Sequence, residues 1–547
     1  MQRLLLSEEQ ARLNFPRPVR NPPRLAAALP VPGSPMSAGP ARRAHRRAWL
    51  ARLSGGALGG FQPLRPSVHP DPLRTLVQRV TQGFTSAEYE RARSLGFEGY
   101  LEEQLEPFSI DDSATEALLT RFPVLEMSPR RIYNHFDGSQ PGTETRPIDA
   151  VRQFKSALLT RATSSRRQLQ ERMCEFWSDH FNVDHAKDLE WLLLPEHERT
   201  VIRPHALGSF PALLSACAFS GAMLYYLDNW LNVRGAPQNN YARELLELHT
   251  LGVRGGYNEF DVQEVARCFT GWTLRDDPAS AGWLRGVFDP ALHANGPKLV
   301  LGHVIAGSPP SGRPGQPVER DDAQAVLDIL AAHPSTARFL ATKLIRRFLT
   351  PTPPADLVDE VAATYRATQG DIRAMLRVIL TPANLAPDSG RVAPKYRRPI
   401  HFLTSLVRAM GGRVDAPTAA LEHLVAMGQS PYDCELPTGY PEDFPAWGDS
   451  LLPRWSFAAR LLDPDRVLPG VELALVEDVL IQIEAQGPAE RPGLAERINE
   501  RLLGGMLPPA EVLLLQQYVD EHPAPFDMFA VYDCLVLAAS LPGFQWH

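Results

Sequence analysis

From about Thr85 onward, apolar residues recur at three- and four-residue spacing, the period of a helix with one buried face. SAEYERARSLGFEGYLEEQL holds two short amphipathic segments, split at Gly96 and running to Pro107. Predicted helices then cover 147–182, 199–231, 238–251 and 259–270. Others follow at 321–332, 335–349, 355–368, 371–380, 395–410, 417–427 and 453–462, with C-terminal segments at 470–484, 489–503, 509–520 and 526–540. Gly252, Gly271, Gly370 and Gly411 each follow such a stretch, where a helix end favours a left-handed residue. The pattern breaks at 272–318. There WTLRDD, GWLRGVFDP and KLVLGHVIAG carry aromatic and β-branched residues between Gly, Pro and Asn, and SPPSGRPGQP is a loop. No repeat of 20–50 residues is visible. The chain therefore reads as mainly α: a large multi-helix bundle with a small inserted antiparallel β-sheet at about 272–306. A second Pro-rich loop, 431–449, carries Tyr432, Tyr440, Phe444 and Trp447, which are expected to pack down onto the helices.

Composition changes this picture at the N-terminus. Residues 1–80 contain 13 Arg, no Lys and 3 acidic residues, while the whole chain of 547 has a net charge of -7. With 12 of the 51 prolines, this stretch reads as a flexible basic arm ahead of an acidic body. Residues 81–465 then form a helical core interrupted by the insert at 272–318, and 466–547 a C-terminal helical segment packed on it. The chain has 51 Arg to 5 Lys, so Arg is its general cation and the arm does not by itself predict nucleic-acid binding. The five cysteines are far apart, which excludes a disulfide scaffold and a zinc ribbon. With 44% hydrophobic residues and no long apolar run, the expectation is a soluble protein without an integral membrane segment. Arg46-Arg47 before AWLARLSGGALGGF resembles a twin-arginine export signal, although Arg52 interrupts its apolar part. Exported and cytoplasmic locations both stay open.

Candidate chemistry is densest in NYARELLELHTLGVRGGYNEFDVQEVARCFTGW. Tyr241, Leu245 and Leu248 line one helical face, and Asn240, Arg243, Glu244 and Glu247 the other, with Arg243 and Glu247 placed as an i,i+4 ion pair. This polar face is either a solvated salt-bridged surface or a ligand or metal cluster using Glu244 and Glu247. His249 falls on the apolar side, as a hydrogen-bonded core histidine would. The glycine turn after it either binds an anion beside Arg254 or lets two helices pack closely. Asn258 is placed to cap the next helix with Asp261 three residues on, and Glu264 and Arg267 lie off that helix's core stripe.

A second group is ERMCEFWSDHFNVDHAKD. Met173, Phe176, Trp177 and His180 share a face, while Glu175 and Asp179 share another and repel unless a cation lies between them. Asp179-His180 and Asp184-His185 suit either metal binding or general-base work, or else His180 belongs to a buried aromatic cluster. A third group, Asp289, His293 and Lys298, sits around a turn of the insert. No GxGxxG, GxxxxGK, GxSxG or calcium-loop pattern occurs.

EFWSDHF, IRPHALGSF, NYARELLELHTLGVRGGY, DVQEVARCFTGW and AAHPSTARFLATKLIRRF, with the ending LAASLPGFQWH, resemble the bacterial family known as domain of unknown function 1800, over roughly residues 80–547. The resemblance implies a large, mostly helical protein. It also implies a neighbouring gene from another uncharacterised family, one with a phosphatase- or sulfatase-like fold and often exported. It carries no established catalytic residues. Its signature positions correspond to Glu175, Trp177, His180, Lys187, Asn240, Tyr241, Arg243, Glu244, Glu247, His249, Gly252, Tyr257, Arg267, Gly271, Trp272, His293 and Lys298. Two departures each remove a potential ligand or acid: Ser178 replaces a histidine, and His293-Ala294 replaces a His-Asp pair.

Two classes of function follow. In the first, the protein is a helical binding or assembly partner of the neighbouring gene's product, associated with the envelope, with Asn240, Arg243, Arg267 and Tyr257 as ligand-binding residues. In the alternative it is a metal-dependent hydrolase. Glu175, His180, His185 and Glu244 are then the candidate ligands of a divalent metal, and His180, Glu244, Glu247, His293 and Lys298 the catalytic candidates. The hydrolase reading requires these stretches to converge on one ion.

Overall fold

The computed structural model describes residues 68–136, 146–307, 322–414, 418–463, 468–473, 491–522 and 528–547. Helices dominate, and the strands are short antiparallel pairs, so the mainly α expectation holds. No helix among the described residues is long and apolar enough to cross a membrane.

Most of the predicted arm, residues 1–67, lies outside the described residues. Its last part does not continue as an arm. Pro72 preorganises the first turn of helix Pro72–Val80, whose cap Asp71 accepts the Leu73 N–H at 2.9 Å. Leu76, Val77 and Val80 are fully buried, which makes this helix part of the core. Helix Ser86–Leu105 is interrupted at Gly96, as the pattern predicts, with φ 74° there.

The predicted helix over 147–182 is two helices, Pro147–Ser164 and Gln168–His180. The chain turns between them because Asp112 captures it: one carboxylate oxygen accepts the Ser165 hydroxyl at 2.8 Å and the other the Arg166 N–H at 2.9 Å. The stretch 199–231 starts earlier than its pattern suggests, at Glu190–His197, and tolerates Pro195 inside. A π-helical segment, Glu198–Ile202, follows directly, then Arg203–His205, Phe210–Ala218 and Gly221–Tyr226. A second π segment, Leu245–Thr250, extends helix Asn239–Glu244. There the Leu251 N–H reaches the Leu246 carbonyl and the Thr250 hydroxyl the Leu245 carbonyl. The wider turn rotates the face, so Leu246, His249 and Thr250 are buried while Leu248 is only half-buried.

Gly252 then takes φ +80°, and a Cβ there would sit 3.0 Å from the Phe339 ring. The glycine turn serves close packing against helix Pro334–Phe348. Asn258 caps Glu259–Phe269 with the reciprocal Asp261 bond, as predicted.

The insert is not one sheet. Trp272–Leu274 pairs with Gly286–Phe288, and Lys298–Val300 with His303–Ile305, as two separate antiparallel ribbons. Each is too short to cover the other, so each lies against helices. A Cβ on Gly286 would strike the Phe219 carbonyl and one on Gly221 the Leu284 carbonyl, so both positions need glycine for that approach.

Two hydrophobic clusters form the interior. The first runs from Leu76 to Val392 and takes in Tyr432; the second gathers residues of 400–544 with Leu159. The apolar division falls between Val392 and Ile400, with Leu159 and Tyr432 crossing it. Helices Pro399–Ala409, Thr418–Ala426 and Leu451–Leu461 share a core with the C-terminal helices Leu494–Leu502, Pro509–Glu521 and Met528–Ser540. Most of the predicted helix at 470–484 lies outside the described residues, and its start is a strand, Val471–Glu472, paired with Arg413–Val414. In the 431–449 loop Tyr432 and Trp447 are buried as expected, whereas Phe444 stays exposed.

Candidate functional site

Helix Gln168–His180 presents Glu175 and Asp179 one turn apart, and a cation does lie between them. Arg398 Nη1 bonds Asp179 Oδ2 at 2.5 Å and its Nη2 bonds Glu175 Oε1. Glu175 Oε2 also receives Arg347 at 3.0 Å, His401 Nε2 at 2.7 Å and the Gln82 amide at 3.1 Å. Burial alone would raise the Glu175 carboxyl, but Arg347, His401 and Arg398 outweigh it and hold it well below the carboxylate range. Asp179 goes the other way, raised by burial and by Glu175 against the pull of Arg398. Glu442 completes the network through Arg347 at 2.7 Å and Lys395 at 3.5 Å. Glu175 thus accepts from four protein donors, one on Oε1 and three on Oε2.

His180 is a core residue. Its Nε2–H donates to the His249 carbonyl at 3.0 Å, and its Nδ1 accepts from Lys343 at 2.9 Å. Phe176, Trp177, Phe181, Phe210 and Phe339 surround the ring. Burial and the Lys343 ammonium lower His180 well below its ordinary value. The same two influences take His249 to about 3, and burial takes Lys343 to about 8. Both ring nitrogens of His180 are engaged, so neither is free to ligate.

His185 belongs to another group. Its Nδ1 lies 2.8 Å from Asp433 and 3.4 Å from Asp184. Among the described residues these three alone bring ligand atoms of three such side chains within 4.8 Å. Lys155 is already there, 3.0 Å from Asp433 Oδ1 and 3.1 Å from the Ser430 hydroxyl. Burial opposes a charge on His185, but the two aspartates raise it. The Lys155 ammonium thus already supplies one counter-charge to these two carboxylates.

In the insert, His293 Nδ1–H donates to the Thr270 carbonyl at 2.6 Å, and Nε2 lies 3.1 Å from Asp322 Oδ2. Lys298, fully buried, bonds the same Asp322 oxygen and the Ala294 carbonyl at 2.5 Å. Asp289, expected in this group, instead caps a short turn by accepting the Ala291 N–H. Asp322 takes its place from the start of helix Asp322–Ala332. No sequence signal marked it, since it follows a proline-rich loop 29 residues beyond His293.

The outer face of 239–267 is polar. The predicted Arg243–Glu247 pair does not form; Arg243 reaches both oxygens of Glu259 at 2.9 Å. The Tyr257 hydroxyl bonds Glu247 instead, and burial with that carboxylate pushes it up to about 12. Burial and Glu247 raise Glu244. Asn240 donates to the Leu227 carbonyl at 3.3 Å, and Arg267 pairs with Glu264 at 2.6 Å. Lys187 bonds Asp228 at 2.7 Å and the Tyr226 carbonyl at 2.6 Å.

Beneath the 431–449 loop is a cavity of about 70 Å³, lined by Glu171, Cys174, Glu175, Asp179, Glu198 and Arg203 among others. Tyr432 closes it, donating to Glu198 at 2.7 Å and lying 3.0 Å from Ser178 Oγ. Ser178 also bonds the Cys174 carbonyl, so this hydroxyl serves the helix and the loop.

The candidate ligands Glu175, His180, His185 and Glu244 thus lie in four different networks, and His293 with Lys298 in a fifth. The required convergence on one ion does not occur among the described residues. Sequence reasoning missed Lys155, Asp322, Lys343, Asp433 and Glu442. It also missed the segment KYRRPIHF, where Lys395, Arg397, Arg398 and His401 open an apolar helix. Three cations in four residues beside Pro399 were the available signal.

Comparison with curated proteins and comparison with solved structures each give no match. A family model described as "Protein of unknown function (DUF1800)" matches residues 75–546, from the first buried helix to the last aromatic. Since that match spans nearly all of the described chain and includes every network above, the protein belongs to the DUF1800 family.

Proposed function

We propose that this protein is a binding and assembly module that docks a partner protein through the outer face of helix Glu259–Phe269 and the ribbon Lys298–Ile305. One observation carries the reading. Val253, Phe260, Leu299 and Val304 are 72%, 52%, 40% and 74% exposed on adjoining elements. Leu299 and Val304 are direct cross-strand partners, and both point outward because Lys298, Val300 and Ile305 point in. The ribbon is pinned beside Phe260: the Leu301 N–H donates to Asp261 at 2.8 Å and the Leu299 N–H to Glu264 at 2.9 Å. An apolar group of this kind rimmed by Arg243, Glu259 and Tyr257 has the anatomy of an interface centre with a polar edge.

The metal-dependent hydrolase reading is the weaker one, because Glu175 and His180 spend their donors and acceptors on protein and the Asp184–His185–Asp433 group holds Lys155. The family resemblance supplies the first partner to test, the product of the neighbouring gene, within the envelope. Purified chain and purified neighbour protein are mixed at micromolar concentration and followed by size-exclusion chromatography and calorimetry. The expected result is a complex that Phe260→Asp and Val304→Asp each weaken by tenfold or more, about 1.4 kcal/mol, without lowering the melting temperature. Separate elution of the wild-type proteins, or binding indifferent to both substitutions, refutes the proposal.

A further inference from the structure

A separate cavity lies beside the Lys395–His401 segment, where the Lys395 backbone pairs with His547 of the cavity wall. It has a volume of about 590 Å³ and opens between helix Pro72–Val80, the turn after helix Leu494–Leu502 and the segment 543–547. Arg79 is one of its wall residues and is 0% exposed. Its Nη2 donates to the Ala393 carbonyl at 2.6 Å, while Nε and Nη1 have no hydrogen-bond partner and are closed to solvent from the cavity. Among the described residues no carboxylate forms an ion pair with it. The wall holds two acids, Glu496 and Glu500, and Glu500 is taken by Arg74 at 2.7 Å.

Behind the wall residue Met506 stands a second buried cation with no carboxylate partner among the described residues. Arg397, also buried, directs Nη1 to the Phe544 carbonyl and Nη2 to the Met506 sulfur, a weak acceptor, and Met506 lines the cavity. Burial lowers Arg79 to about 9; burial, Arg454 and Arg79 together lower Arg397 to about 9 as well. Both guanidiniums therefore stay charged at neutral pH. Leaving a buried charge unpaired is unfavourable, and proteins commonly offset it with a partner.

The remaining walls narrow the partner's chemistry. His69 Nδ1 accepts the Asp71 N–H at 3.0 Å, which leaves its proton on Nε2, a further donor on the wall. Leu507, Pro508, Val512 and Trp546 supply apolar surface. The volume lies in the range of sites for small organic molecules.

We infer that this cavity binds a small organic oxyanion, its charged head taken by His69 Nε2–H in the field of the buried Arg79 charge and its apolar body against Val512 and Trp546. Phosphate, sulfate and carboxylate heads share this chemistry.

Full-length protein is titrated with phenyl phosphate, benzoate, inorganic phosphate and neutral phenol at constant ionic strength, with heat and melting temperature as readouts. Saturable binding of phenyl phosphate or benzoate, with phenol inert, is expected, and the tighter of the two anions assigns the head group. Arg79→Met should weaken that binding at least tenfold. It should also melt at or above the wild-type temperature without ligand, because the unpaired charge is gone. Absence of saturable binding by every anion, or equal binding by Arg79→Met, overturns the inference. Should Arg79→Met not fold, Leu513→Trp, at an exposed position of the wall, narrows the cavity with Arg79 intact. Tenfold weaker binding of the organic anion supports the site, and undiminished binding overturns it.

Discussion

Removing Arg398 tests the central ionic network where the two carboxylates depend on it most. Arg398 is 1% exposed, bonds Asp179 at 2.5 Å and also holds Glu175 Oε1. In Arg398→Met, Glu175 keeps Arg347, His401 and Gln82, but Asp179 loses the one side-chain partner described for it. Deleting one member of a buried pair leaves an uncompensated charge and costs about 3–5 kcal/mol. The loss must depend on pH. The Asp179 carboxyl already stands above its ordinary value, through burial and Glu175 against Arg398, and without Arg398 it rises further. A carboxyl raised in the fold imposes no penalty below its unfolded pKa. The penalty grows as pH rises from the unfolded to the folded value, at about 1.36 kcal/mol per unit of difference, and is complete above it. Urea-unfolding midpoints of Arg398→Met and wild type, read from tryptophan fluorescence, should therefore differ most at about pH 8 and least near pH 4. Adding Asp179→Asn should recover part of the loss and flatten its pH dependence. A loss under about 1 kcal/mol at pH 8, or one equal at both pH values, refutes the reasoning.

Lys155→Ala should convert the Asp184, His185 and Asp433 group into a metal site, since the ammonium 3.0 Å from Asp433 is what balances it. Stoichiometric Co²⁺ uptake by the variant and none by wild type, measured by calorimetry and absorption, is the expected outcome. Asp322→Asn should loosen the ribbon Lys298–Ile305 by leaving buried Lys298 without a carboxylate, a loss of about 3 kcal/mol or more. Faster hydrogen exchange at 293–305, with exchange at Gln168–His180 unchanged, checks it.

Much of the helical body is legible in the sequence because burial acts locally on helical period. The stripes Val262, Val265, Ala266 and Phe269, and Met173, Phe176, Trp177 and His180, are all buried. The Asn258 cap and the positive φ at Gly252, Gly271, Gly370 and Gly411 are local too, set within a few residues. Expectations failed where a distant contact overrode the local pattern. Asp112 breaks the helix at Ser165 from 53 residues away, and a π turn changes which residues of 245–250 face inward. Arg243 prefers Glu259 to Glu247, since a neighbouring helix offers both oxygens of one carboxylate.

The candidate site divides in the same way. That Glu175 and Asp179 need a cation between them follows from helix geometry alone. That the cation is Arg398, 219 residues from Asp179, does not. Residue types and spacing marked which side chains carry charge, and that much the chain determined by itself, together with its helical class and its caps. The tertiary structure decided which charges meet. Hydrogen bonds and ion pairs act over about 3 Å, so their partners are chosen by the packing of helices far apart in sequence. That packing joined His293 to Asp322 and His180 to Lys343, and it left Arg79 buried without a carboxylate partner among the described residues.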